Sequence, residues 1–435
     1  MKRELVMSIG LLSMFICQSA GAKTLEDVLK EKGVITEEDY KEVTRSKPID
    51  YKIGKGFTFT SQDEKFQLSL GGRLQARYSF FDRDQDSGDP SQAQDVSQFQ
   101  IRRMKIWMNG YAYTKDLTYL LQVDTTQTSS TPSSGTGNSG AKFIDHAYFN
   151  YRLIDEFQVL AGQTKVPFGR QWLTGSGNLS FVDRSPASDA FRPGYDIGVK
   201  LNGKLAKGLV NYDLGGYGGK GQGITSSNND NSFAARVVVN PLGELAYNEA
   251  DLDTTDKPLV SVGTNYFYDK VQYTRGATAA ASTFESTNQN FMSSNGWLTA
   301  ANAFNRGIQS EQVKVHLYGA DAAFKWMGAY AVGEYLLGQA EGDRSGAELR
   351  AHGYFVQAGY CVLPKKLEVA ARWSYIDPNR DASNDLRSEV GGAVSYYFNK
   401  HNLKLQGDVV KLHTQRSATV DTDEMQYRMQ AQIIF

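Results

Sequence analysis

Phe66-Gln-Leu-Ser-Leu-Gly-Gly-Arg-Leu-Gln-Ala-Arg-Tyr-Ser-Phe80 decides the fold. Phe66, Leu68, Leu70, Gly72, Leu74, Ala76, Tyr78 and Phe80 share one parity. Gln67, Ser69, Gly71, Arg73, Gln75, Arg77 and Ser79 share the other. A helix would mix these sets, whereas a strand points successive side chains to opposite faces and separates them. The pattern recurs. Met104, Ile106 and Met108 oppose Arg103, Lys105 and Asn109. Ile197, Val199 and Leu201 oppose Asp196 and Lys200. Leu367, Val369, Ala371, Trp373 and Tyr375 oppose Glu368, Arg372 and Ser374.

Strands are therefore expected at about 66–81, 99–113, 116–125, 143–152, 156–166, 195–204, 207–217, 233–240, 258–268, 312–325, 326–338, 351–361, 365–376, 387–398, 402–413 and 424–435, sixteen in all. Every second link is short: Thr114-Lys115, Ile154-Asp155, Leu205-Ala206-Lys207, Met327-Gly328, Pro364 and Lys400-His401. The intervening links are longer, at 82–98, 126–142, 167–194, 218–232, 269–311, 339–350, 377–386 and 414–423. Soluble sandwiches have no reason to alternate loop length, but membrane barrels carry short turns at one end and long loops at the other. Residues 241–257 are the exception, a long link where a short one is expected. Aromatics near strand ends (Tyr78, Phe80, Phe81; Tyr396, Tyr397, Phe398) fit interfacial girdles. The expected fold is all-β: a transmembrane antiparallel β-barrel of about sixteen strands over 57–435, with a short N-terminal helical segment.

Lys2 and Arg3, the apolar run from Leu5 to Cys17 and the small residues Ala20-Gly21-Ala22 read as a signal peptide over 1–22. That run is too short and Ser-interrupted for a spanning helix. Bulky Phe15-Ile16 argue against a lipid-attachment site at Cys17. At the other end, Tyr427, Met429, Ala431, Ile433 and Phe435 oppose Arg428, Gln430 and Gln432. A last amphipathic strand ending in Phe435 resembles the signal read by the outer-membrane barrel-assembly machinery. No later stretch has about twenty apolar residues in a row, so no spanning helix is expected. The 24 Tyr, 22 Phe and 42 Gly against 10 Pro suit a barrel in which only alternate residues face lipid. Taking Lys2, Arg3 and Glu4 from 47 basic and 48 acidic residues leaves 45 and 47, a formal charge of -2. No nucleic-acid or acidic partner is implied. Only Cys361 would survive cleavage, so no intramolecular disulfide is expected.

Residues 23–56 read as a periplasmic helical and linker segment. Leu25, Val28 and Leu29 share a helical face, and Gly33 sits at a C′-like position. Thr36-Glu37-Glu38-Asp39 reads as an N-cap with acidic first-turn residues. Apolar residues are too few for an independent core. The segment is either a tail packed on something else or a short coiled-coil-like oligomerisation element.

Four segments resemble the phosphate-selective porin O and P family. They are Phe99-Gln-Ile-Arg-Arg-Met-Lys-Ile-Trp107, Gly162-Gln-Thr-Lys-Val-Pro-Phe-Gly169, Phe181-Val-Asp-Arg-Ser-Pro186 with Arg192-Pro-Gly-Tyr-Asp-Ile-Gly198, and the C-terminal hairpin from Tyr396. Leu25–Tyr40, with Gly33-Val-Ile-Thr-Glu-Glu38, is similar to that family too. The resemblance is dispersed over nearly the whole mature chain, and Lys165-Val-Pro-Phe-Gly169 is its most specific piece. It implies a homotrimer of sixteen-stranded barrels in outer-membrane lipid, each with its third external loop folded inward to narrow the pore.

Such a channel needs no nucleophile, general base or cofactor. It needs fixed charge where it is narrow, because low-dielectric walls focus the field. Alternation turns Arg73, Arg77, Arg103, Lys105, Lys200, Arg236, Arg372, Lys404 and Arg428 to the lumen. Arg102 cannot share the face of Arg103 in a regular strand; a bulge or a place at the rim would let both reach water. Loop 167–194, entered through Pro167 and Gly169, is the expected constriction. It carries Arg170, Arg184 and Arg192 against Asp183 and Asp189. Guanidinium forks suit oxyanions. The candidate anion contacts are Arg73, Arg77, Arg102, Arg103, Lys105, Lys165, Arg170, Arg184 and Arg192. The competing reading is that Arg184 and Asp183 tie the loop to the wall.

Two features temper selectivity. Thr174-Gly-Ser-Gly-Asn178 has no lysine where the family's selective members carry them. Asp124, Asp196, Asp213, Glu334, Glu368 and Asp408 also take lumen positions. The expected function is a passive, water-filled diffusion channel for small solutes, anion-leaning, for phosphate or polyphosphate-like oxyanions. The alternatives are a non-selective general porin and, beyond it, an outer-membrane barrel adhesin or enzyme. An enzyme would need a Ser/His pair near the outer rim, and none is visible.

Other motifs carry little. Asp82-x-Asp84-x-Asp86-Ser-Gly88 spaces carboxylates as calcium loops do, but the closing Glu falls at Ala93. The glycine-rich run 215–223 is not followed by a helix, so it does not read as a phosphate cradle. No metal is expected.

Overall fold

The computed structural model describes residues 25–39, 49–85, 92, 94–126, 143–224, 229–285, 287–417 and 420–435. The signal-peptide reading lies outside them, as do Asp86 and Gly88 of the calcium-like run. The chain divides into two units, 1–48 and 49–435.

In the first unit, helix Leu25–Glu31 ends at Gly33, whose φ is 67°. Val34 N–H donates to the Leu29 carbonyl and Gly33 N–H to that of Lys30, both at 2.9 Å. This closure takes up orphan carbonyls and needs the left-handed conformation that glycine adopts freely. Thr36 Oγ1 accepts from Asp39 N–H at 3.1 Å, while the Asp39 carboxylate accepts from Thr36 N–H at 2.9 Å. The reciprocal pair starts the next helical turn.

The second unit is a sheet. Its first strands are β1 (Ile49–Lys52), β2 (Gly56–Thr60), β3 (Phe66–Arg83), β4 (Val96–Ala112), β5 (Thr114–Asp124) and β6 (Ile144–Ile154). Then come β7 (Phe157–Lys165), β8 (Tyr195–Leu205), β9 (Val210–Tyr217), β10 (Ser232–Val239), β11 (Leu259–Thr274) and the short β12 (Thr283–Phe284). The rest are β13 (Glu311–Trp326), β14 (Ala329–Gly342), β15 (Glu348–Leu363), β16 (Leu367–Asp377), β17 (Arg387–Asn399), β18 (Leu403–Ser417) and β19 (Val420–Ile434). Strands β3 to β11 and β13 to β19 pair antiparallel in chain order, β11 going directly to β13. β19 pairs with β3, which closes a sixteen-stranded barrel. Phe435 and Gly72 exchange backbone hydrogen bonds at 3.0 and 2.8 Å. The hairpin β1–β2 pairs with the start of β3, continuing the row below the end of β19.

The turns at one end are tight. Met327-Gly328 has φ values of 47° and 85°, a type I′ geometry matched to strand twist. At the other end two links are shorter than expected. β14 and β15 leave only 343–347 between them, and β18 and β19 only 418–419. The reason is visible in β13. Near the loop end Gln312, Lys314 and His316 point outward, and Val313, Val315 and Leu317 are buried inside. From Tyr318 on, the outward set is Tyr318, Ala320, Ala322, Phe324 and Trp326, while Asp321 and Lys325 point inward. The apolar face switches sides where lipid gives way to water, yet the ladder continues. The same holds in the link expected at 339–350, where the outward Gln339, Glu341, Glu348 and Arg350 are still paired strand.

Aromatic side chains mark the switch. Tyr266 faces Tyr318, and Tyr354 lies between Tyr335 and Tyr375. Trp326, Tyr360 and Tyr396 are exposed toward the turn end. Tyr318 and Trp326 lie about 26 Å apart along the strand at ~3.3 Å per residue, which a tilt of about 40° projects to about 20 Å of an apolar band about 25 Å tall. Tyr397, expected in the girdle, instead points inward and donates to Glu368 at 2.5 Å.

Part of the lumen is filled. Phe168, Ala187, Ala190 and Phe191 of loop 166–194 pack with Phe291, Trp297 and Leu298 of loop 275–310 against β9–β16. Trp297 stacks on Phe191 with ring centroids 6.0 Å apart. The long link 240–258 also folds inward, burying Leu245, Ala250 and Leu252. Its length is that of an inserted filling rather than a turn.

One ion pair is deep in the wall. Arg236 donates to both oxygens of Asp321, at 2.6 and 3.0 Å, and neither side chain is solvent-accessible. Removing one partner strands the other charge. Asp321→Ala should lower the unfolding free energy by about 3–5 kcal/mol, measured by urea titration of the barrel in detergent micelles. A loss below about 1 kcal/mol would show that Arg236 finds another acceptor.

Candidate functional site

Loop 166–194 leaves β7 through Pro167 and Gly169, whose φ is 72°. Gly169 N–H donates to Asn265 Oδ1 at 3.2 Å, and Gln171 N–H donates to Glu334. Beyond the short helix Arg170–Leu173 the chain crosses the lumen with its backbone groups taken up by wall side chains. Gln75 donates to the carbonyl of Ser176, Gln432 to that of Gly177, and Lys404 to that of Leu179. Asp408 accepts from Val182 N–H, and Arg372 donates to the Asp183 carbonyl. A segment crossing a lumen must have its peptide groups satisfied, and polar lumen residues supply the partners.

This corrects the reading of a mixed lumen. Glu334 and Asp408 hold loop backbone, and Glu368 accepts from Ser180 Oγ at 2.7 Å. Asp196 accepts from Gly219 N–H, and Asp213 pairs with Lys200 at 2.7 Å. Of the six lumen acids noted in the sequence, only Asp124 lines the remaining cavity.

That cavity, of about 560 Å³, lies between the loop and the wall of β3–β8. Its lining includes eight basic side chains: Arg73, Arg102, Arg103, Lys105, Lys165, Arg184, Arg192 and Lys200. Against them stand Asp124 and Asp145. Lys105 pairs with Asp145 and, at 3.5 Å, with Asp124. Arg192 pairs with Asp189 at 2.9 Å and lies over the Trp172 ring at 4.1 Å.

Three of these cations are held differently. Lys165 Nζ donates to the carbonyls of Trp172, Leu173 and Thr174 at 2.6–3.3 Å. Arg184 donates to those of Gln171, Trp172 and Thr174 at 2.7–3.4 Å. Arg73 donates to Ser176 Oγ at 2.8 Å. Among the described residues no carboxylate lies within ion-pair distance of any of the three. The C-terminal carbonyls of the short helix fix two of them, as helix C-termini favour cations. Burial and the neighbouring Arg192 pull the Arg184 guanidinium down to about 10, so it stays charged at neutral pH.

Beside the cavity sits Asp183. It accepts from Arg77 at 2.6 Å and pairs with Arg103 at 3.4 Å, Arg102 at 3.6 Å and Arg428 at 3.7 Å. Arg102 reaches it because the register slips by one residue between Gln75 and Ala76. Gln75 faces Arg103, Ala76 faces Ile101, and Arg102 is the extra residue of a bulge.

Seven of the nine candidate contacts meet at this cavity. Arg77 does not, because Asp183 and the Val182 carbonyl engage its guanidinium. Arg170 does not either. It points away, donating to Ser261 and to the carbonyls of Leu245 and Ala246. Lys200 was legible by parity yet absent from the candidates. Asp145, Trp172 and Tyr195 carried no sequence signal that set them apart.

A family model described as "Phosphate-selective porin O and P" matches residues 69–435. The chain belongs to the phosphate-selective porin O and P family. Like the family, it is an outer-membrane protein. An uncharacterized protein of Aquifex aeolicus is 24% identical over 99% of both chains. Porin O of Pseudomonas aeruginosa is 24% identical over 86% of this chain and 81% of that one. The barrel superposes on the anion-selective porin from Comamonas acidovorans with a TM-score of 0.54 at 11% identity, covering 84% of this chain and 99% of that one. That likeness shows a shared fold. Family and fold are those of a channel rather than an enzyme. In this porin O/P chain, the wall-to-loop hydrogen bonds leave one cationic cavity beside the inserted loop.

Proposed function

We propose that the protein is a passive, anion-leaning diffusion channel for small oxyanions of the phosphate and polyphosphate type. The observation that carries this is the carbonyl- and hydroxyl-held trio Arg73, Lys165 and Arg184. A cation neutralised by a carboxylate contributes little net field. One held by dipoles keeps its full charge toward the cavity. The donors are mostly guanidinium and ammonium groups, which bind oxyanions in charge-assisted hydrogen bonds. The other candidate contacts, Arg102, Arg103, Lys105 and Arg192, add donors at the same wall and are partly balanced by Asp183, Asp145 and Asp189. A homotrimer of such barrels, with the last strand read by barrel-assembly machinery, belongs to the same proposal.

A general porin is the second reading. It draws on Asp183, which consumes the charge of several arginines. Planar-bilayer recordings in a tenfold salt gradient separate the two. The anion-leaning reading expects a reversal potential of anion sign and a chloride conductance reduced by millimolar phosphate. A reversal potential near zero supports the general porin, and one of cation sign overturns the proposal.

A further inference from the structure

We infer that Glu249, on the link between β10 and β11, is the positioning residue that sets the bore of this channel; the inference rests on the channel reading above. The link enters the lumen from the turn end, opposite to loop 166–194, and Glu249 is only 5% exposed. Its Oε1 accepts from Gln171 Nε2 at 3.0 Å. Its Oε2 accepts from Ser180 N–H and from Gln357 Nε2, both at 2.7 Å. Its own N–H donates to the Asn178 carbonyl at 3.0 Å. One side chain therefore grips the loop on both sides of residues 172–179. That stretch presents Trp172, Leu173, Gly175 and Ser176 to the cavity.

The opposite side of the stretch is held by Arg73 at Ser176 Oγ, 2.8 Å away. The loop is thus slung between wall side chains, Arg73, Gln75 and Gln432 among them, and a buried acid from a different element. All three partners of the carboxylate are donors, so only an acceptor-only group satisfies them at once. An alanine would leave Gln171 Nε2 and Ser180 N–H unpaired, with Gln357 Nε2 keeping only Tyr330 Oη, and a void beneath the loop. The anchors at Glu334 and Asp408 are untouched by that change, so the barrel can still close. The wall anchors at Ser176, Gly177, Leu179 and Ser180 also stay, so what is released is the span 171–175, and with it the register of Lys165 and Arg184 on the carbonyls of 171–174.

The test is single-channel conductance and reversal potential of Glu249→Ala in barrels shown by heat-modifiable migration to be assembled. Conductance should rise about 1.5-fold or more and the anion-to-cation permeability ratio should fall. Glu249→Gln keeps the volume but turns an amide NH2 toward another donor, so it should fall between wild type and alanine. Gln171→Glu sets a second carboxylate against Glu249 and should act in the same direction without altering that residue. It decides the matter if the alanine variant does not assemble. Unchanged conductance and selectivity in assembled Glu249→Ala, or in both other variants, would overturn the inference. A wild-type channel of cation sign would refute the anion reading, while the conductance difference between wild type and variant would still judge Glu249.

Discussion

Replacing Arg73, Lys165 and Arg184 together by glutamine should lower the anion-to-cation permeability ratio about tenfold. Glutamine keeps an amide NH2 at each position, so the loop retains part of its hydrogen bonding to Ser176 Oγ and the carbonyls of 171–174 and loses three charges. A unit charge about 6 Å from a permeating ion is worth about 0.7 kcal/mol even at the dielectric of water, a factor of about three in local anion concentration. Three charges multiply to more than tenfold, and salt screening brings the product back toward ten. The matched control is Arg102→Gln with Arg103→Gln, whose charges face Asp183 at 3.6 and 3.4 Å. Per charge removed, that pair should shift the reversal potential less. A drop below about twofold in the triple variant would place the selective field elsewhere. The effect should also shrink in 1 M salt, where the Debye length is about 3 Å.

Asp183→Asn should destabilise the barrel by about 3 kcal/mol and, at the same time, make the pore more anion-selective. Arg77, Arg102, Arg103 and Arg428 all lie within 3.7 Å of this carboxylate. Removing the acid leaves the largely buried guanidinium groups of Arg77 and Arg103 without a carboxylate partner, while Arg428 keeps Asp408 at 2.7 Å. That costs about 3–5 kcal/mol for a fully buried pair and less here, because Asp183 keeps 20% of its side-chain surface. Chemical denaturation in micelles measures the loss, and bilayer recording measures the gain in selectivity. A stable variant with unchanged reversal potential would show that Arg77, Arg102 and Arg103 find other acceptors.

The same residue sets a pH dependence. Burial alone would raise the Asp183 carboxyl, but Arg102, Arg77 and Arg103 outweigh it and hold it well below the ordinary aspartate value of 3.8. A folded value below the unfolded one means that the stabilisation is complete above 3.8 and is lost as pH falls through the folded value. The stability gap between wild type and Asp183→Asn should therefore stay constant from neutral pH to about pH 5 and narrow only below about pH 4. A gap that widens on acidification would contradict this assignment.

The barrel was legible because lipid imposes a simple rule on alternate residues. Phe66–Phe80 obeys it, and so do the lipid-facing stretches of the other expected strands. The rule stops where lipid stops. Val313, Val315 and Leu317 form an apolar row facing inward, and Gln312, Lys314 and His316 face out, so parity alone misplaces the rim there. The bulge at Arg102 was readable from the collision of two adjacent arginines that both needed a polar side. Asp183 was in view as a tie between loop and wall, but the wall arginines it meets were not named for it. The role of the acids was not readable. Asp408 and Glu334 have the parity of pore-lining residues, but whether such a carboxylate faces water or a peptide N–H depends on where a loop distant in sequence comes to rest. Arg170 illustrates the same point. Its place in loop 167–194 suggested the pore, while Leu245 and Ala246, on the inserted link, draw it to the other side.

Three inserted segments occupy much of the lumen, and this uncouples aperture from circumference. In an empty barrel, a large change of the sieve takes the addition or removal of strands, with the whole shear recalculated. Here a residue gained or lost in 166–194, 240–258 or 275–310 would change what passes while every strand, register and lipid contact stays as it is. Relatives with the same sixteen strands are then free to differ widely in permeant size, and the record of that divergence should lie in the lengths of these three segments.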